Sequence, residues 1–330
     1  MNSTITLLDP ALQDQRGTLS NNLGDVIIYE SVSQILKELF PNDEIVRIST
    51  HSNIEDWQRK VIKESKYTFI GGSNLLSSDL KTYNQWKLSD SKWYYYFPNL
   101  SNLILLAVGW WQYQHKPTFT TRYFYNSVLS HKRFHSVRDG YTLDKMKNMG
   151  ITNTLNTSCI TTWDLQGLSV NRKNLNNKDC IFTLTDYNQN PDLDNRLINL
   201  LIESYSDYLY YFPQGSFDEQ YIQSLESFKK NASRIKIINR TNAAFYDLLD
   251  SNIDYIGTRL HGGVKCLQNA MNSLIIAVDN RAIEIGKDIN LPVVKRDDFE
   301  SIKSWIEGKE IFSPISLPIK QIKIWKDQFR

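Results

Sequence analysis

Short apolar runs alternating with helical stretches, twice over, constrain this chain more than any other feature of its 330 residues. Residues 25–40 place Ile27, Ile28, Val32, Ile35, Leu36 and Leu39 at helical spacing, and Pro41-Asn42 ends the pattern. Residues 44–49, 67–70, 103–109 and 133–137 then read as strands, with a helix over 139–149 closed by Gly150. Near-continuous apolar strands separated by helices imply a parallel sheet covered on both faces. After the polar stretch 171–179, read as a linker, the alternation restarts. Strands are predicted over 180–185, 208–212, 235–238, 255–258 and 274–278, with helices over 192–205, 218–229, 243–249 and 260–271. The expected fold is α/β: two Rossmann-like domains facing a central cleft. Their predicted limits are 1–170 and 178–310, with residues 311–330 a tail packing back on the first. A length prior of about 150 residues per domain agrees.

Composition narrows the function classes. Net charge is +2, so no global positive field points to nucleic acid, and none is expected as a partner. The first residues lack a basic segment followed by an apolar one, so no signal peptide is expected. The longest apolar run, residues 103–111, is about half of the roughly 20 residues that span a bilayer. Three widely separated cysteines, Cys159, Cys180 and Cys266, match neither a disulfide framework nor zinc-ligand spacing. The expectation is a cytoplasmic protein, peripheral at most at the inner face of the plasma membrane. No Gly-Xaa-Ser-Xaa-Gly elbow, His-Glu-Xaa-Xaa-His or clustered Asp/His site is present, so no metal is expected.

Chemistry is best sought where a strand hands over to a helix. At Thr258-Arg259-Leu260-His261-Gly262-Gly263 an arginine and a histidine stand at a strand end as a helix opens. Free N–H groups and the helix dipole favour an anion there, the guanidinium adds a planar fork, and the imidazole titrates near neutrality. A surface ion pair with a helix-capping histidine is the competing reading. Ser136-Val137-Arg138-Asp139 repeats the arrangement, with Asp139 either orienting Arg138 or capping the next helix. Asn22-Leu23-Gly24-Asp25 opens the first long helix as a close backbone approach or as a simple cap. Gly71-Gly72-Ser73-Asn74 is a glycine turn after a strand, without the lysine of a phosphate loop.

In this order and spacing the four segments, with Asp279-Asn280-Arg281 beyond them, resemble the polysaccharide pyruvyl transferase family over most of residues 20–290. The chain departs from the family pattern at Ser73, near Arg281 and at Thr161-Thr162-Trp163. The resemblance implies a fold similar to GT-B glycosyltransferases. It also implies transfer of pyruvate from phosphoenolpyruvate onto two hydroxyls of a sugar, forming a cyclic ketal and releasing phosphate.

On that basis Arg138 and Arg259, one from each domain, are expected to grip phosphoenolpyruvate, which serves as donor substrate with no other cofactor. His261 is expected to transfer a proton, as acid to the methylene or as base to the hydroxyl. Asn22, Gly24, Asp25, Gly72, Ser73, Asn74, Asp139, Gly262, Gly263 and Arg281 complete the expected donor and acceptor contacts. Trp110 and Trp111, with Tyr113, are expected to offer ring faces to a pyranose. His115, Lys116, Arg122, His131, Lys132 and Arg133 would suit a polyprenyl-diphosphate-linked acceptor in capsule or exopolysaccharide assembly. Trp93-Tyr-Tyr-Tyr-Phe97 reads as packing. The alternative is a GT-B sugar-nucleotide-dependent glycosyltransferase, with Glu284 on a ribose and Arg259 on a diphosphate.

Overall fold

The computed structural model describes residues 3–83, 87, 100–172, 175–250 and 252–330. The tract at 93–97 lies outside the described residues. The chain divides into two compact units. Unit 1 comprises Met1–Ser20, Ile28–Trp163 and Leu317–Arg330; unit 2 comprises Asn21–Ile27 and Asp164–Ser316.

Unit 1 is built on β1 (Thr4–Asp9), α1 (Leu23–Leu39, whose residues up to Ile27 count with unit 2), β2 (Glu44–Ser49), α2 (Asp56–Glu64), β3 (Tyr67–Gly71) and β4 (Leu103–Leu106). It continues with α3 (Phe119–Val128), β5 (His135–Val137), α4 (Gly140–Asn148) and β6 (Thr154–Asn156). The parallel sheet runs β2-β1-β3-β4, and a bridge between Val108 and Val137 carries it toward the β5-β6 pair. The apolar strands are what drive this arrangement: all four residues of β4 are buried, which is possible only with cover on both faces.

One face of that sheet packs Ile70, Leu105, Trp110, Phe124 and Tyr125. The other carries an aromatic cluster in which Phe69 meets Trp325 at 5.9 Å and Phe329 at 5.2 Å, and Trp163 meets Trp325 at 6.1 Å.

Sequence patterning missed β1, α2, α3 and β6 among these elements. β1 is too close to the chain start and too mixed, Thr-Ile-Thr-Leu-Leu-Asp, to stand out. α2 has few apolar residues, and α3 (FTTRYFYNSV) is rich in threonine and aromatics that favour strands. Thr118 caps α3 through the Thr121 amide, and the helix lays Phe124, Tyr125 and Val128 on the core.

Unit 2 contains β7 (Asp179–Thr183), α5 (Pro191–Ser204), β8 (Leu209–Tyr211), α6 (Asp218–Ser224), α7 (Glu226–Lys230), β9 (Ile235–Ile237) and α8 (Asn242–Tyr246). β10 (Ile253–Gly257), α9 (Leu260–Gln268), β11 (Ser273–Ala277), α10 (Asn280–Ile289), β12 (Val293–Lys295) and α11 (Phe299–Ile306) follow. The predicted helix over 218–229 is two helices, broken at the extended Leu225. The final helix, α12 (Ile319–Asp327), belongs to unit 1. The sheet of unit 2 is parallel, ordered β12-β11-β10-β7-β8-β9. The chain leaves β7 toward β8 and β9, then returns to the opposite side through β10. That reversal opens a crevice at the carboxyl ends of β7 and β10, where open α/β sheets take their ligands.

Residues 171–179 are more than a loose linker. Arg172 pairs with buried Asp254 at 2.7 Å, and Asn177, Asn272 and Tyr205 hydrogen-bond the same carboxylate. A buried charge this well satisfied pins the segment to the sheet.

Candidate functional site

The crevice of unit 2 collects several of the residues singled out above. Backbone at the end of β10 is fastened to β7: Thr258 N–H donates to the Thr183 carbonyl at 3.0 Å, and Arg259 N–H to Thr183 Oγ1 at 3.1 Å. Tyr255 Oη donates to the Arg259 carbonyl at 2.8 Å. This fixes Arg259 as the residue capping α9, with His261 in the first turn.

The Arg259 side chain is buried and bound to two carboxylates. Nε donates to Asp218 Oδ2 at 3.0 Å, Nη2 to Asp218 Oδ1, and Nη2 also to Asp186 Oδ1 at 3.0 Å. Burial alone would lower its pKa, but Asp218, Tyr187 and Asp186 outweigh it and hold the guanidinium more firmly charged than usual. Nη1 makes no hydrogen bond among the described residues. Gly215 makes this possible, because a Cβ there would collide with Arg259 Nη2.

Arg281 is held in a similar way. It donates to Asp279 through Nε at 3.0 Å and to the Tyr187 hydroxyl through Nη2. Burial opposes its charge, and Tyr187, Asp279 and Asp25 overcome that and raise its pKa. The Tyr187 ring lies within 5.1 Å of the Arg259 guanidinium carbon and 5.4 Å of that of Arg281.

The start of α1 joins this group. Asn22 Oδ1 accepts from Gly24 N–H at 3.2 Å, and its Nδ2 donates to Asp25 Oδ2 at 3.1 Å, so Asn22 closes the first turn. Gly24 is a true close approach. A Cβ there would stand 2.7 Å from Gln214 Nε2, 3.2 Å from Asn22 Oδ1 and 3.5 Å from His261 Nδ1. Gln214 is buried, its carbonyl accepts from Leu23 N–H at 3.1 Å, and its Oε1 has no partner. Sequence reasoning missed this residue. Pro213-Gln214-Gly215 follows a strand just as the chosen junctions do, and that position was the available signal.

Gly262 and Gly263 lie near the start of α9. Cβ atoms there would meet the Tyr255 hydroxyl at 3.1 Å and Ile275 Cγ1 at 2.6 Å. These glycines let α9 lie close on β10 and β11.

Unit 1 holds its own cluster at the carboxyl ends of β3, β4 and β5. Arg138 is 1% exposed. Its Nε donates to Asp139 at 3.0 Å and its Nη1 to Asn74 Oδ1 at 2.6 Å, while Nη2 is buried without a partner. Asp139 both orients Arg138 and caps α4 through the Thr142 amide at 2.7 Å. Gly72 and Ser73 are left-handed (φ +66° and +58°), and Gly72 packs on Ile28. A side chain at Gly109 would strike the Arg138 guanidinium.

Trp110 is corrected. It has no exposed surface, belongs to the core beside Tyr125, and spends its indole N–H on Gln114 at 2.8 Å. Trp111 is half-buried with one face stacked on Tyr83 at 3.7 Å; Tyr113 is exposed. Among the nearby basic residues, Arg133 serves packing by binding the Gln328 carbonyl at 2.6 Å, and His131 binds the Asn126 carbonyl at 2.7 Å. No helix among the described residues is long and apolar enough to cross a membrane.

Residues 22–280 match the family model described as polysaccharide pyruvyl transferase. No curated protein matches the sequence. Among solved structures, the chain is similar to UDP-GlcNAc 2-epimerase from Methanocaldococcus jannaschii, crystallised with UDP-GlcNAc and UDP. The TM-score is 0.55 at 10% identity, over 99% of both chains. At that identity the likeness concerns the fold, which is GT-B-like α/β.

Proposed function

We propose, for a chain that belongs to the polysaccharide pyruvyl transferase family, that the donor is phosphoenolpyruvate and the acceptor a sugar of a bacterial surface polysaccharide or its lipid-linked repeat unit. Membership makes the protein a transferase that acts on polysaccharide. The finer reading is supported above all by one observation: Arg259 and His261 stand together at the switch point of unit 2, beside the tight start of α1.

The reaction places specific demands on those groups. A proton is added to the methylene carbon of phosphoenolpyruvate, leaving C2 electron-poor. One sugar oxygen bonds to C2, and a second then displaces phosphate as the C2–O bond breaks. Of the two hydroxyl protons, one is balanced by the new methyl group and the other leaves with phosphate. His261 carries a proton in one of these transfers. Arg259 presents Nη1 to an anionic oxygen of the donor, and its two carboxylates keep the guanidinium from turning. Arg138 keeps its unpartnered Nη2 buried in unit 1, at a cost of about 1–3 kcal/mol, so it takes an anion only when a movement of the surrounding turns admits one.

The test is incubation with phosphoenolpyruvate and a lipid-linked oligosaccharide in one vessel and with sugar nucleotides in another. Inorganic phosphate together with a pyruvate ketal on the saccharide supports the reading. Release of a nucleoside diphosphate in the second vessel alone would replace it with glycosyl transfer.

A further inference from the structure

Unit 2 has a second feature that the donor chemistry leaves unused. Beside the Arg259 cluster opens a cavity of about 460 Å³, lined among others by Asp186, Tyr187, Gln189, Phe217, Gln220 and Ser224. Its volume lies within the roughly 300–1,000 Å³ of small-molecule clefts. Asp186 forms part of the wall, with Oδ1 on Arg259 and Oδ2 accepting from Phe217 N–H at 3.0 Å. The cavity therefore adjoins the group assigned to the donor.

Phe217 is 63% exposed and Tyr187 52% exposed, so two aromatic rings reach solvent here. Gln189 and Gln220 are exposed, and their amides make no hydrogen bond among the described residues. The Tyr221 ring is held rigid, because its hydroxyl binds Asp194 and accepts from Asn190 N–H at 3.1 Å. Ring faces, idle amides and a carboxylate are the groups that hold a polyol: the rings cover C–H faces, and the amides and carboxylate pair hydroxyls. Among the described lining residues Asp186 carries the one formal charge, and it is negative. No cation stands among the described lining residues to draw a phosphate.

We propose that this cavity is a carbohydrate subsite that seats an uncharged hexose ring against Phe217, with Gln220 and Asp186 pairing its hydroxyls. On the pyruvyl-transfer reading, on which this one assignment rests, the bound ring belongs to the acceptor saccharide.

Saturation-transfer NMR on the full chain tests this without any turnover. The probes are methyl β-galactopyranoside, methyl β-glucopyranoside and methyl α-mannopyranoside, with uridine in a parallel tube. At least one glycoside is expected to receive saturation. Phe217→Ala should weaken its binding roughly tenfold and Gln220→Ala severalfold. Both residues are exposed, so circular dichroism should remain that of the parent chain. The proposal is overturned if all three glycosides are silent, if binding is the same in both variants, or if uridine alone binds. Because phosphoenolpyruvate is absent, a chain that binds glycoside yet fails to release phosphate would sink the reaction and leave the subsite standing.

Discussion

Asp218 grips Arg259 with both carboxylate oxygens while accepting backbone N–H bonds from Asp186, Gln214 and Gly215 at 2.9, 3.0 and 2.7 Å. One buried carboxylate thus sets the guanidinium and shapes the turn that carries Gln214. The same contact ties the Arg259 cluster to folding.

Arg259→Ala should therefore be read with care. It strands two carboxylates, one fully buried, and is expected to cost on the order of 3–5 kcal/mol of stability. Arg259→Lys keeps the charge but not the fork, so the fold should survive while donor affinity falls about tenfold or more. Urea denaturation and calorimetry with phosphoenolpyruvate separate the two effects. Unchanged donor affinity in the folded lysine variant would remove Arg259 from the donor site.

His261→Ala is expected to lower turnover by roughly 10²–10⁴ with little change in donor affinity. The readout is kcat against the dissociation constant for phosphoenolpyruvate. A variant of normal kcat would leave the imidazole with a packing role only.

Gly24→Ala adds a methyl group 2.7 Å from Gln214 Nε2 and 3.5 Å from His261 Nδ1. The neighbours must yield, at a stability cost of about 1–3 kcal/mol. Activity should fall further than that loss explains, because the Gln214 amide that must shift lies beside the same turn as His261. Full activity in a destabilised variant would show that Gly24 matters for packing alone.

Most strand-to-helix junctions were legible in the sequence, because β4, β7, β10 and β11 are short apolar runs that only a covered parallel sheet explains. Arg259 and His261 were visible by their place at one such junction. Other features needed three dimensions. Trp110 and Trp111 look equivalent in sequence, yet one is in the core and the other stacks on Tyr83 at the surface. Gly262 and Gly263 resemble a ligand loop, yet they allow helix packing. Asp218 and Asp186 lie 41 and 73 residues from Arg259, and no local pattern pairs them with it.

A separate prediction concerns pH. Burial lowers the pKa of His135 from 6.5 to about 4, with Nδ1 accepting from Leu105 N–H at 3.2 Å and Nε2 bound to the Ser130 carbonyl at 2.9 Å. The unfolded chain takes up this proton near pH 6.5, and the folded chain resists it until about pH 4. The contribution is therefore whole above the unfolded value and is lost as pH falls from about 6.5 toward 4, reaching on the order of 3 kcal/mol. Melting temperatures across that range should drop less in His135→Gln than in the parent. Parallel slopes would place the acid sensitivity elsewhere.

The most direct measurement of the central claim follows the donor's own carbon. Phosphoenolpyruvate labelled with carbon-13 at C2 is incubated with the protein and a lipid-linked oligosaccharide, and the saccharide is recovered for NMR. The account predicts a labelled quaternary ketal carbon bonded to two sugar oxygens, one phosphate released for each, and loss of both in His261→Ala. A saccharide free of label while phosphoenolpyruvate remains intact would contradict it.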